Sequence, residues 1–270
     1  MKKSHKITTT ITLIALTLLI IIIIIVTNTL NTSTQTTYHG VPIYNYKIVQ
    51  TYPHDPTAFT QGLIIDEKGN LIESTGLNGA SSLRRVYLKN NKNLQQIDLP
   101  YEYFGEGIAI VDDKIIQLTW QNRIAFIYNK DTFKLIGNFT LNTEGWGLTY
   151  DGTHLIMSDG TSNLYFIDPN TYQTINTINV HDTEGSVDNL NELEYINGTI
   201  YANIWHNTKI AIINPTTGQI EAYIDLKEIA QPHTKNNSEA VLNGIAYNTQ
   251  TNQLYITGKN WPTIYEIKIK

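Results

Sequence analysis

A chain of 270 residues with 41% hydrophobic side chains is long enough to bury a sizeable core, and its 19 basic and 24 acidic residues leave it at net charge −5. It has no cysteine, which excludes disulfides, thiol catalysis and cysteine-based zinc sites while leaving the redox compartment open. Beyond Lys2, Lys3 and Lys6 the basic residues are scattered, and with those three set aside the balance is more acidic still, which argues against nucleic acid as a partner.

The N-terminus is a different kind of sequence from the rest. Lys2, Lys3 and Lys6 precede an uncharged, mostly aliphatic stretch at 7–26. Twenty helical residues span roughly 30 Å, the thickness of a bilayer's hydrocarbon core. The basic flank keeps the N-terminus in the cytoplasm. Residues 26–29 (Val-Thr-Asn-Thr) lack the small-x-small pattern of a cleavage site. The expectation is an uncleaved signal-anchor helix within 1–26, a Thr/Asn-rich linker at 27–42 and an extracytoplasmic domain at 43–270, secreted if the segment is cleaved. The sequons at Asn138, Asn197 and Asn236 add little in a chain so rich in Asn and Thr.

From residue 43 onward the chain repeats. One phase reads Phe59-Thr60-Gln61-Gly62-Leu63, Phe104-Gly105-Glu106-Gly107-Ile108, Gly145-Trp146-Gly147-Leu148, Leu190-Asn191-Glu192-Leu193 and Leu242-Asn243-Gly244-Ile245. A first slot in this phase holds Gln61, Glu106, Trp146, Asn191 and Asn243, at spacings of 45, 40, 45 and 52 residues. A second slot, 14 to 16 residues later, holds Gly76, Trp120, Gly160, Trp205 and Lys259. Between the slots run short β-rich stretches of period-two alternation, such as 114–120, 124–129 and 134–140, separated by Gly, Asn, Asp and Pro. Four strands every 40–50 residues is the signature of a propeller blade. The last unit lacks a strand, and residues 43–50 read as the strand that supplies it and closes the ring. The expected fold is an all-β, five-bladed β-propeller, with a short turn at 226–230 as its one departure. In an up-and-down blade the first strand starts on the rim to which the second returns, so both slots face one mouth of the channel.

The strings at these slots closely resemble the plant and bacterial type of glutaminyl-peptide cyclotransferase. Besides the five phase segments, the matching strings are Ser81-Ser82-Leu83-Arg84, Thr143-Glu144-Gly145-Trp146-Gly147 and Thr257-Gly258-Lys259-Asn260-Trp261-Pro262. They run in order at blade spacing across about 46–268. The resemblance implies a five-bladed propeller that converts the N-terminal glutamine of a peptide to pyroglutamate and releases ammonia. It implies Glu106 as the catalytic acid/base, and Phe59, Gln61, Phe104, Trp120, Trp146, Asn191, Trp205 and Lys259 as pocket residues. It implies no metal or other cofactor for the chemistry, and peptides or proteins with N-terminal Gln as partners. In the first blade Thr75-Gly76-Leu77-Asn78-Gly79 departs from the family's usual pattern, at the rim.

The residue types suit that chemistry on their own terms. The substrate's α-amino group attacks its own γ-carboxamide, so the enzyme needs no nucleophile, but a proton must leave the amine and another must reach the departing ammonia. One carboxylate between them can do both. Aromatic neighbours around Glu106 raise its pKa towards the working range, and rigid indole walls suit an orientation problem. Asn191, Gln61 and Lys259 can hold the amide oxygen, where charge develops. Trp261 stands outside both slots and reads as packing. Glu144, Glu192 and Glu194 read as structural, bonding turn amides or an axial cation. Arg84 reads as structural, in an ion pair or in blade-to-blade hydrogen bonds. His54, His154, His181, His206 and His233 have no metal-triad spacing and read as loop residues. Two other functions fit a propeller: a calcium-dependent lactonase or esterase with Glu106, Asn191 and Asn243 as ligands, or a non-catalytic binder of peptides or glycans.

Overall fold

Alternating apolar and polar residues bury one face of a strand, and a propeller buries both faces of its inner strands by packing blade on blade. The computed structural model describes residue 20, residues 36–235 and residues 237–270. In it, Thr37–Lys270 forms one compact unit. Five blades of four antiparallel strands carry it. Blade 1 comprises Thr60–Ile65, Leu71–Thr75, Ser82–Tyr87 and Lys92–Asp98. Blade 2 comprises Gly105–Val111, Lys114–Thr119, Ile124–Asn129 and Leu135–Thr140. Blade 3 comprises Leu148–Tyr150, Leu155–Ser158, Asn163–Ile167 and Thr174–Asn179. Blade 4 comprises Leu190–Ile196, Thr199–Ile204, Lys209–Ile213 and Ile220–Asp225. Blade 5 comprises Leu242–Asn248, Gln253–Gly258 and Thr263–Ile269, completed by Tyr46–Pro53.

Burial falls outward across a blade. Gly105–Val111 is almost wholly buried, whereas Leu135–Thr140 is largely exposed. The core lies between neighbouring blades. Leu193 and Ile200 of blade 4 pack with Ile156 and Leu164 of blade 3, and Leu63 and Leu71 of blade 1 pack with Ala246 and Tyr255 of blade 5. Each fully buried Leu or Ile there contributes about 1.5–3 kcal/mol relative to exposure.

Ring closure follows the sequence expectation. Tyr46–Pro53 runs antiparallel to Thr263–Ile269, with Gln50 opposite Glu266, and becomes the outer strand of blade 5. The predicted strand at 43–50 is, however, two strands. Val41–Tyr44 pairs in parallel with Ile220–Asp225 of blade 4, and Thr37–Tyr38 folds back on it across a turn at His39 and Gly40, both at positive φ. The linker expected over 27–42 therefore gives way to strand by residue 37. Val41 and Ile43 earn that order by packing into the cluster shared by blades 3 and 4, while the Lys209 ammonium lies 4.2 Å from the centre of the Tyr38 ring.

The predicted membrane-spanning helix and residues 27–35 of the linker lie outside the described residues, apart from Ile20. Among the described residues no helix is long and apolar enough to cross a membrane. The one α-helix described within Thr37–Lys270, α1, is Lys227–Thr234, longer than the expected turn, and it buries Ile229 and Ala230 against blades 4 and 5.

Candidate active site

The first slot owes its geometry to a recurrent break in strand register. In blades 1, 2, 4 and 5 the pairing of the first two strands shifts between Thr60 and Gly62, Gly105 and Ile108, Leu190 and Leu193, and Leu242 and Ile245. Each interval contains the first-slot residue, and such bulges re-aim a side chain out of the alternating pattern. A backbone hydrogen bond ties the two slots together. The N–H groups of Gly76, Trp120, Trp205 and Lys259 donate to the carbonyls of Phe59, Phe104, Asn189 and Val241, each two residues before a first slot. In blade 3 the first strand starts later, and Trp146 N–H donates to Ser158 O instead.

The two glycines of the second slot make room for rings from neighbouring positions. A Cβ on Gly76 would collide with the Phe104 ring. At Gly160, held at φ +81, a Cβ would lie 2.6 Å from the Trp146 ring. The slots thus alternate between supplying a side chain and yielding space to one.

Phe59, Gln61, Phe104, Glu106, Trp120, Trp146, Asn191, Trp205 and Lys259, the nine residues expected at the site, line one cavity of about 270 Å³. Its floor is polar and buried, made by Gln61, Glu106, Asn191 and Lys259, and its walls are half-buried aromatic rings. Phe59 meets Phe104 edge-on at 6.0 Å, Phe104 meets Trp120 at 5.6 Å, and Trp146 meets Trp205 at 5.7 Å. The Lys259 ammonium sits over the Phe59 ring, 4.6 Å from its centre, a contact worth about 0.5–2 kcal/mol.

Gln61 Nε2 donates to Glu106 Oε1 at 3.1 Å, while Gln61 Oε1 accepts from Asn243 Nδ2 at 3.0 Å. Asn243 Nδ2 also donates to Thr60 O at 2.9 Å. Gln61 therefore orients Glu106 with one of its two Nε2 hydrogens, and its oxygen is engaged by Asn243. Glu106 Oε2 and Asn191 Oδ1 are buried without a hydrogen-bond partner among the described residues. Two bare acceptors in one apolar cavity suit a donor-rich group such as an amine. Burial pushes the Glu106 carboxyl well above the usual carboxylate range; Lys259 opposes the shift and Glu144 adds to it. Burial likewise draws the Lys259 ammonium below its ordinary value, against the pull of Glu106 and Glu239.

Sequence reasoning missed Glu239, an exposed side chain on the cavity's rim. It stands after α1, within the 52-residue spacing that is the longest between first slots, and that excess length was its one signal. Asn243 belongs to the first slot but stands behind Gln61 rather than on the cavity, so the three calcium ligands of a lactonase reading do not converge there. His54 lies in a loop as expected, directly after Tyr46–Pro53, and is fully buried there at the closing seam. Its Nε2 lies 3.0 Å from Glu73 Oε1 and its Nδ1 lies 2.7 Å from Trp261 O. Arg84 completes that cluster with bonds to Glu73 at 2.8 Å and Asp55 at 2.7 Å. The cluster backs the segments that carry Phe59 and Lys259, which are joined directly by Asn260 N–H to Ala58 O.

A second cavity, of about 340 Å³, opens at the other ends of the first strands, among Ile64, Ile110, Tyr150, Glu194 and Tyr247. Between the two mouths Glu192 occupies the axis. Four repeats carry glycine after the first slot (Gly62, Gly107, Gly147 and Gly244), where first strands crowd together, and the fifth carries Glu192. Its Oε2 accepts Ile245 N–H at 2.8 Å and its Oε1 accepts Leu63 N–H at 3.3 Å, joining blade 4 to blades 5 and 1. Glu194 accepts Tyr247 N–H at 2.9 Å.

Comparison with known proteins agrees with this geometry. The profile of the family described as glutamine cyclotransferase matches residues 19–269. A glutaminyl-peptide cyclotransferase of Arabidopsis thaliana is 38% identical over 231 residues, 84% of this chain and 72% of that protein. The crystal structure of Myxococcus xanthus glutaminyl cyclase matches with a TM-score of 0.79 at 33% identity, covering 84% of this chain and 97% of that one. By its repeat, its five blades and these matches, the chain belongs to the glutamine cyclotransferase family.

Proposed function

We propose that this protein is a glutaminyl-peptide cyclotransferase, converting the N-terminal glutamine of peptides or proteins to pyroglutamate with release of ammonia, and that Glu106 is its acid/base. The observation that carries the reading is the buried, unpartnered Oε2 of Glu106 in an aromatic cavity beside the equally bare Asn191 Oδ1. A substrate α-ammonium, with an ordinary pKa of about 7.7–8.0, finds two acceptors there. Burial makes the Glu106 carboxylate a stronger base than an ordinary carboxylate, which suits it to proton exchange there.

The substrate amine, neutral once its ammonium proton has passed to solvent, attacks the carboxamide carbon, Cδ, as Glu106 takes a further proton from it, and the ring C–N bond forms. The carboxamide oxygen gains negative charge, which the Lys259 ammonium is suited to offset. Glu106 then returns the proton to the amide nitrogen, the exocyclic C–N bond breaks, and ammonia leaves. Gln61 holds Oε1 throughout, leaving Oε2 for the transfer. The five rings exclude water and fold the glutaminyl chain into its ring-closing conformation, a contribution of orientation rather than of reactive groups.

The test is ammonia release from a short Gln-initiated peptide by the full-length chain, with EDTA present and Glu106→Gln as control. The variant should lose about 10²–10⁴-fold in kcat while keeping the wild-type Tm. A variant that retains the wild-type rate sinks the role of Glu106, and a folded wild type that releases no ammonia sinks the activity.

The same proposal places the enzyme outside the cytoplasm, held to the membrane by its N-terminus. Support comes from Lys2, Lys3 and Lys6 followed by the uncharged stretch 7–26. Alkaline carbonate extraction of membranes from expressing cells should leave the full-length chain in the pellet, and its appearance in the supernatant would dismiss the anchor.

A further inference from the structure

The aromatic wall is built as two arcs from different blades. Phe59, Phe104 and Trp120 are in edge contact in one arc, and Trp146 and Trp205 in the other. One carboxylate oxygen joins them. Glu144 Oε2 accepts Trp120 Nε1–H at 2.7 Å and Trp146 Nε1–H at 3.2 Å. An indole N–H can only donate, so its bond fixes which edge of the ring faces the cavity. Hydrogen bonds to an ionised acceptor are the stronger kind, and two converging on one oxygen set the distance between the rings as well as their tilt. Glu144 is half-buried and does not itself line the cavity.

Resting on the reading of the cavity as the substrate pocket, we propose that Glu144 is a positioning residue. It locks the two arcs together through both indole N–H groups, so that the pocket holds the glutaminyl side chain in its ring-closing geometry. A purely structural carboxylate at this turn would bond backbone amides, as Asp151 does with the N–H groups of Thr153 and His154. Glu144 instead bonds two rings that line the cavity. Its charge reaches the reacting group too. The ionised groups acting on Glu106 are Lys259, from the end of blade 5's second strand, which favours the carboxylate, and Glu144, from the turn before blade 3, which opposes it. Glu239 acts on Lys259 from the rim. Next to Glu144, Thr143 and Tyr165 both donate to Asp159, whose carboxylate is thereby engaged elsewhere.

The experiment uses full-length chain labelled with ¹⁵N-tryptophan, in which the four tryptophans give four indole N–H signals, together with the kinetics of Glu144→Ala and Glu144→Gln. In Glu144→Ala the Trp120 and Trp146 signals should move while those of Trp205 and Trp261 stay, and kcat should fall about tenfold or more. Glu144→Gln, which keeps an acceptor oxygen, should recover most of kcat. It should also move the acid limb of kcat/KM to lower pH, because the charge opposing ionisation of Glu106 is gone. Unmoved indole signals, or moved signals with wild-type kcat and KM, would overturn the proposal. If Glu144→Ala does not fold, Glu144→Gln decides alone: near-wild-type kcat with a shifted limb supports the role, and a lost rate with an unshifted limb overturns it. A wild type that turns over no peptide overturns the activity itself, a failure read before either variant is compared.

Discussion

The two ends of the channel carry buried carboxyl groups in similar electrostatic settings and very different chemical ones. Burial raises the pKa of Glu106 at one mouth, of Glu192 on the axis and of Glu194 at the other mouth, the last to about 8. A raised pKa alone would nominate all three as catalytic acids. Bonding separates them. Glu192 and Glu194 accept backbone N–H groups from neighbouring blades, whereas Glu106 is held by a side-chain amide and keeps Oε2 bare inside an aromatic cavity. Desolvation marks burial; a free acceptor beside a cavity marks work to be done.

That contrast breaks most visibly at Glu192. Replacing it with alanine strands the N–H groups of Leu63 and Ile245 at the axis, at about 1–3 kcal/mol each. For a domain of this size we expect Tm to fall by roughly 5–10 °C, with the kcat of the folded fraction retained. Calorimetry and ammonia release on the same sample check both halves. Glu106→Gln is expected to do the reverse, and a variant at either position that moves both readouts together would erase the distinction.

A smaller effect sharpens the contrast at Glu194. Its folded pKa of about 8 lies above its unfolded value of about 4.3. The folded state therefore binds the extra proton between those limits. Its contribution to stability is full below about pH 4.3 and is lost as pH rises through about 8. The Tm advantage of wild type over Glu194→Gln should shrink from pH 4.5 to 8.5. A constant gap across that range would mean that Glu194 titrates alike in both states.

How much of this was legible in the sequence depends on whether a residue shares in the repeat. The blades and the seven cavity residues that stand in the slots were, because the scaffold recurs while the slots vary, and variation against a fixed frame is visible in a single chain; Phe59 and Phe104 stand outside the slots and came only with the family resemblance. Glu239 was not, since it lies in an inserted stretch with no counterpart in other units. Asn243 occupies a slot, yet its turn behind Gln61 depends on side-chain bonds that no spacing encodes. The strand Val41–Tyr44 eluded the reading because a four-residue parallel pair containing Pro42 shows no useful alternation. His54 carries no hydrophobic signature, and its burial goes with Glu73, which reaches it from another blade and is itself held by Arg84.

The pairing of Tyr46–Pro53 with Thr263–Ile269 has a consequence for how the molecule comes into being. Blades 1 to 4 can each form from contiguous chain as synthesis proceeds, through contacts that are local in sequence. Blade 5 cannot, because its outer strand is made early and its inner strands last. Until then the assembly is an open arc with Tyr46–Pro53 unpaired, held near the gap by the pairing of Val41–Tyr44 with blade 4, and closing loops of nearly two hundred residues is the kind of non-local event that slows folding. The final registration of that strand also seats His54 at the seam behind Phe59 and Lys259. The pocket therefore reaches its working shape only when the circle does, and a nascent chain has no means of acting on substrate before it is whole.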